Sequence, residues 1–139
     1  MKKIVFLLVS ILLCLSMVSC SALMYLINTP TRERMLDYYA DDSNYVEVQG
    51  IVVGITQNSI MVDIDGDHPF DYALSDGQPW FQLLAPVDLE IGDLVTLVSA
   101  PGIFYDGHRS PIAALEKDGE ILLSFEEGKR LCLEEAKEF

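Results

Sequence analysis

The chain predicts a small, mainly β domain: a five-stranded Greek-key barrel with a short helix between its third and fourth strands and a C-terminal helix, preceded by an N-terminal apolar helix. Three observations predict it. From Tyr45 onward apolar residues recur at every second position, the period of a half-buried strand. Turn pairs (Asp65-Gly66, Asp76-Gly77, Asp106-Gly107 and Asp118-Gly119) punctuate that pattern. Before it, no charged residue occurs between Lys3 and Arg32.

The uncharged leader has two readings, and both put the chain at a bacterial cell membrane with its domain on the extracytoplasmic side. In the first, residues 1–19 are a lipoprotein signal peptide: Lys2 and Lys3, an apolar run from Ile4, small Ser19, then Cys20, the residue to be lipidated. A diacylated Cys20 supplies two chains, enough for stable anchoring. In the second, residues 4–27 stay uncleaved as one transmembrane helix, since about 20 apolar residues suffice to span a bilayer. Cys20 favours the first reading. Met17 and the apolar stretch from Ser21 to Ile27 keep the second open.

Charge narrows the partners. The formal net charge is −13, and removing residues 1–19 takes away Lys2 and Lys3 alone among charged residues, leaving −15. Such a domain repels nucleic acid, which is held by Lys and Arg on phosphates, and it repels anionic headgroups. Cysteine usage excludes a disulfide framework: Cys14 lies in the leader and Cys20 is the anchor candidate, so Cys132 stands alone between two leucines as a buried apolar residue.

Residues 20–44 read as a linker. Thr29-Pro30 suits a helix start, because proline lacks a donor the first turn would leave unpaired. Thr31 to Ala40 then forms a spacer helix packing loosely on the domain, with Met35, Leu36 and Tyr39 near one face, and Asp41-Asp42-Ser43-Asn44 ends it.

Residues 45–139 form the barrel domain. The first strand runs from Tyr45 to Ile55, covered on both faces in its second half, with Gly50 and Gly54 marking a bulge or bend. After the Thr56-Gln57-Asn58 turn, Ser59 to Asp65 returns with Ile60, Val62 and Ile64 on one face and Met61, Asp63 and Asp65 on the other. Phe70, Tyr72 and Leu74 make a third strand, and Trp80 to Ala85, apolar without alternation, a turn or two of helix stopped by Pro86. Leu94 to Val98 is the fourth strand, with Ile103 to Tyr105 continuing it. Ile112 to Leu115 and Ile121 to Phe125 supply the fifth on either side of Asp118-Gly119. Glu126 to Lys137 closes the chain as a weakly amphipathic helix in which Gly128 costs about 1 kcal/mol relative to Ala.

Three strands, a helical connection and two strands is the order of an OB-fold. The runs Val48-Gln49-Gly50-Ile51-Val52 and Leu89-Glu90-Ile91-Gly92-Asp93-Leu94-Val95 resemble the first and fourth strands of bacterial OB-fold lipoproteins, small anchored domains similar to the anticodon-binding OB module of tRNA synthetases. The resemblance covers Tyr45 to Phe125 and implies a fold without any catalytic motif to carry over.

Four constellations have the residue types for chemistry. Asp63, Asp65, Asp67 and Asp71 offer alternating carboxylates for Ca²⁺, but Gly66 and Leu74 break the EF-hand spacing, and an acidic hairpin turn is the simpler reading. The loop holding Phe104, Tyr105, His108 and Arg109 joins the fourth and fifth strands, where OB-folds bind ligands, and its aromatics and Arg are hot-spot residues. Trp80-Phe81 is either a contact patch or a barrel plug. His68 and His108 lack zinc-site spacing. With no phosphate loop, nucleophile elbow or acid/base pair, the expected function is non-enzymatic binding of a protein, peptide or glycan, the alternative being a Ca²⁺-responsive structural module.

Overall fold

The alternating run that opens at Tyr45 becomes strand β1 (Val46–Ile55), paired on both edges, in a computed structural model that describes Leu23 and residues 31–70, 74–75, 77–102 and 109–139. The other strands are β2 (Ser59–Ile64), β3 (Leu74–Ser75), β4 (Gln78–Gln82), β5 (Leu94–Ser99), β6 (Ser110–Lys117) and β7 (Glu120–Leu123). Two helices flank them, α1 over residues 31–40 and α2 over Phe125–Glu138.

Antiparallel pairing joins β1 to β2, β2 to β4, β1 to β5 and β5 to β6. A parallel contact, Phe81 with Ser110 and Gln82 with Pro111, joins β4 to β6. The pairings therefore close on themselves through β1, β2, β4, β6 and β5, giving a barrel-like sheet in which β3 and β7 are hairpin additions. The β6–β7 turn needs left-handed backbone, and Asp118 (φ 52°) and Gly119 (φ 80°) supply it, as the Asp-Gly pair predicts.

The barrel interior is filled from every ring strand: Val52, Ile60, Val62, Phe81, Val95, Leu97, Ile112 and Leu115 are each at most 1% exposed. Gly50 lets β1 and β2 come together, for a Cβ there would lie 2.2 Å from the Asp63 carbonyl oxygen. The predicted bulge is present, the β1–β2 register slipping between Val52 and Gly54. The outer face of β1 is not covered as expected: Ile51 is exposed, and its neighbours across the sheet are Asp63 and Leu94 rather than a second layer.

The helix expected over Trp80 to Ala85 is not formed. Residues 78–82 are strand β4, with Pro79 and Phe81 inward and Trp80 outward. An apolar residue on the outer face erased the alternation that would have marked a strand. Residues 83–90 run on without helix, and Leu83, Val87 and Leu89 pack against the core. Phe70 is not in a strand either. It is fully buried with its ring edge-on to Phe81, centroids 4.9 Å apart. Residues 71–73 and 103–108, with the strand extension and Asp106-Gly107 turn read there, lie outside the described residues.

Helix α1 ends where the sequence supplies a stop. The Asp41 carboxylate accepts from the Ser43 N–H at 2.9 Å and the Ser43 hydroxyl at 2.7 Å, and these bonds hold its pKa below the usual value. Asp42–Asn44 follows as one 3₁₀ turn, and Asn44 Nδ2 donates to the Tyr38 carbonyl at 2.9 Å. The helix is not loosely attached. Met35 and Tyr39, 2% and 1% exposed, form a second core with Ala100, Ala113, Cys132 and Ala136.

Helix α2 is capped by Ser124, which accepts from the Glu127 N–H at 3.3 Å. Its buried face is Gly128, Cys132 and Ala136, one residue per turn. Small residues carry that face, so its sequence looks barely amphipathic although it is packed on β6. Of the leader, read as residues 1–19 or 4–27, Leu23 alone is among the described residues. Among the described residues no helix is long and apolar enough to cross a membrane.

Candidate functional site

Strands β2 and β4 present a mixed outer face. Met61 pairs with Trp80 and Ser59 with Gln82, and all four side chains point away from Ile60 and Phe81, which fill the barrel. The room for Trp80 comes from β1: a Cβ on Gly54 would stand 3.1 Å from Met61 Cβ and 3.2 Å from Trp80 Cη2. The bulge at Val52/Gly54 turns this glycine toward the indole, and Ile55 beyond it lines the barrel mouth with Ile60.

Arg109, just before β6, lies across this face. Its guanidinium carbon is 5.0 Å from the Trp80 ring centre, a cation–π contact, and Nη1 donates to Ser59 Oγ at 2.7 Å. The parallel β4–β6 contact brings it there by setting Ser110 beside Phe81. Ser59 is only 2% exposed beneath it. Arg109 makes no ion pair with any described carboxylate, whereas Lys117, Lys129 and Arg130 are bonded to Asp93, Asp42 and the Glu127 and Glu134 pair. Arg109 is thus an exposed guanidinium beside an indole in an acidic chain.

Next to this face an open groove of about 640 Å³ runs between the β1–β2 turn (Thr56, Gln57 and Asn58) and the segment Leu83–Leu89. Leu83 N–H donates to the Asn58 carbonyl at 2.8 Å and ties the two walls together.

The residues singled out in the sequence meet different fates. Of the predicted binding loop, Arg109 is described, and Phe104, Tyr105 and His108 lie outside the described residues, as do Cys20 and Asp71. Asp63, Asp65 and Asp67 are exposed, and among the described residues no three His, Cys, Asp or Glu side chains come together as a metal-ligand group. His68 serves its own turn, Nδ1 accepting from the Phe70 N–H at 3.2 Å. The Trp80-Phe81 pair splits, Phe81 plugging the barrel and Trp80 facing out. In the sequence Ser59 and Met61 are only strand positions and Gly54 only a bulge or bend, because their meeting with Trp80 depends on register.

Cys132 is a packing residue. Burial pushes its thiol up to about 12, far from the reactive range, and Tyr45 beside it is raised as well, chiefly by burial. Tyr45 OH donates to the Tyr39 carbonyl at 2.9 Å and its ring meets Phe125 of α2 edge-on, so it links both helices at the start of β1.

Comparison of the chain with protein-family models, with curated proteins and with solved structures finds no match.

Proposed function

We propose that this protein is a non-enzymatic OB-like binding domain, held on the extracytoplasmic side of a bacterial membrane by lipidated Cys20, whose β2–β4 face takes a protein, peptide or glycan partner through Trp80 and Arg109. One observation carries the reading: a guanidinium that pairs with no carboxylate among the described residues, stacked on an outward-facing indole. Trp and Arg dominate binding hot spots, because each offers a large contact area with directional donors. The ring order β4-β2-β1-β5, with the fourth ring strand returning beside the first, is a Greek-key arrangement and supports the OB-like assignment. In that fold the second and third strands and the adjoining loops form the ligand face, here β2, β4, the β1–β2 turn and Arg109.

The chain contains a single tryptophan, so Trp80 emission reports directly on this face. Titrating the full chain with arrayed peptides and oligosaccharides is expected to find ligands that shift the emission and are lost in an Arg109→Ala variant. An array that leaves the emission unmoved, or binders retained at equal affinity by Trp80→Ala and Arg109→Ala, rejects the reading. The anchor is tested separately: Cys20→Ala removes lipid labelling and processing from a lipoprotein, whereas an uncleaved span stays in the membrane.

A further inference from the structure

The outer wall of β1 and β5 carries a second surface that the Trp80–Arg109 pair does not use. Ile51 and Leu94 are direct cross-strand partners, 39% and 44% exposed, and Ile91 in the turn before β5 is 68% exposed. That turn is held against β1 by two backbone bonds, Gly92 N–H to the Val52 carbonyl at 2.7 Å and Val52 N–H to the Asp93 carbonyl at 2.9 Å. The three aliphatic side chains are therefore displayed on a hydrogen-bonded frame. Grouped exposed aliphatics of this sort mark interaction surfaces.

The surroundings of the patch are acidic. Asp63 is the register partner of Ile51 on the β2 side, Asp65 is hydrogen-bonded to the Gln49 carbonyl two residues along, and exposed Glu90 flanks Ile91. Strands β1, β2 and β5 and the turn before β5 contain no Lys or Arg. Lys117, which reaches this side from β6, is ion-paired to Asp93 at 2.8 Å.

We propose that the Ile51–Leu94–Ile91 patch docks a cationic amphipathic segment of another protein. Charge selects this occupant. A second copy of the chain would set one acidic rim against another, and an anionic bilayer would meet the same repulsion. An apolar stripe bordered by Lys or Arg covers the aliphatics and pairs with Asp63, Asp65 and Glu90 together.

The test uses the full chain in zwitterionic nanodiscs, labelled at Ile and Leu methyl groups. It is titrated with a short amphipathic peptide carrying leucine on one face and lysine on the other, and with its glutamate counterpart. The lysine peptide is expected to shift the Ile51, Ile91 and Leu94 methyl signals and to weaken as salt rises. It should bind at least about tenfold less tightly to an Ile51→Ser, Leu94→Ser variant whose Trp80 emission is unchanged. Equal binding of both peptides, binding unaltered in that variant, or no binding overturns the proposal. So does a dimer in sedimentation that the same variant dissolves, or broadening of those methyl signals by spin-labelled lipid, each naming another occupant.

Discussion

Gly128 of α2 rests directly on Ala113 of β6: a Cβ on the glycine would stand 1.9 Å from the Ala113 carbonyl oxygen and 2.7 Å from its Cα. The obstacle is backbone, which cannot rotate aside as a side chain would. Helix and barrel are thus packed at a distance that only glycine permits.

Gly128→Ala is accordingly expected to destabilise the fold, although on helix propensity alone it would stabilise it by about 1 kcal/mol. Overpacking of a close contact costs about 1–3 kcal/mol, and here it opposes a smaller gain. Denaturant unfolding of the two proteins measures the difference, and a higher midpoint for the alanine variant would show that α2 is not seated on Ala113.

Met35→Ala is expected to cost about 2–5 kcal/mol, the range for truncating a fully buried methionine, because its side chain lies in the core shared with Tyr39 and Cys132. Arg34→Ala, one residue away on the exposed side of α1, is expected to stay within about 0.5 kcal/mol. The pair of melting curves tells a docked helix from a free spacer, since a free spacer would leave both unchanged.

Trp80 and Arg109 are expected to couple weakly in stability and strongly in binding. A double-mutant cycle with Trp80→Leu and Arg109→Ala should give an interaction of about 0.5–1 kcal/mol, the value for an exposed cation–π contact. Arg109→Ala alone should shift the emission of Trp80 in the unliganded protein. A cycle energy near zero with unchanged emission would mean that the two groups do not touch in solution.

Stability is expected to fall in alkali. The Cys132 thiol is raised to about 12 from an ordinary 9.0, so between these values the unfolded chain has released a proton that the folded chain still holds. That contribution is fully present below pH 9 and is lost as pH rises toward 12. Tyr45 is raised in the same direction by its burial and adds to the slope. Unfolding midpoints measured from pH 7 upward should decline beyond pH 9, and less steeply in Cys132→Ala. A flat profile would place the thiol in solvent.

The period-two runs at 46–55, 59–64 and 94–99, the Asp-Gly turn at 118–119, the stop at Asp41 to Asn44 and the C-terminal helix were legible because each rests on local chemistry. Alternation, turn conformation and capping are decided by residues within a few positions of one another. The acidity is legible too, because it needs only a count of charged residues. Strand β4 was not legible. Its outward Trp80 is as apolar as its inward Phe81, and only pairing with β2 on one edge and β6 on the other shows which face is which. The same holds for the candidate site. Arg109 and Trp80 are distant in sequence, and nothing local joins them. Closure of the ring by the parallel β4–β6 contact sets one beside the other, and the bulge opposite turns Gly54 to make room. Sequence by itself determined the elements that rest on local chemistry, and the charge. Tertiary structure decided which side chains meet, because register and ring closure are properties of pairs of strands and no single segment encodes them.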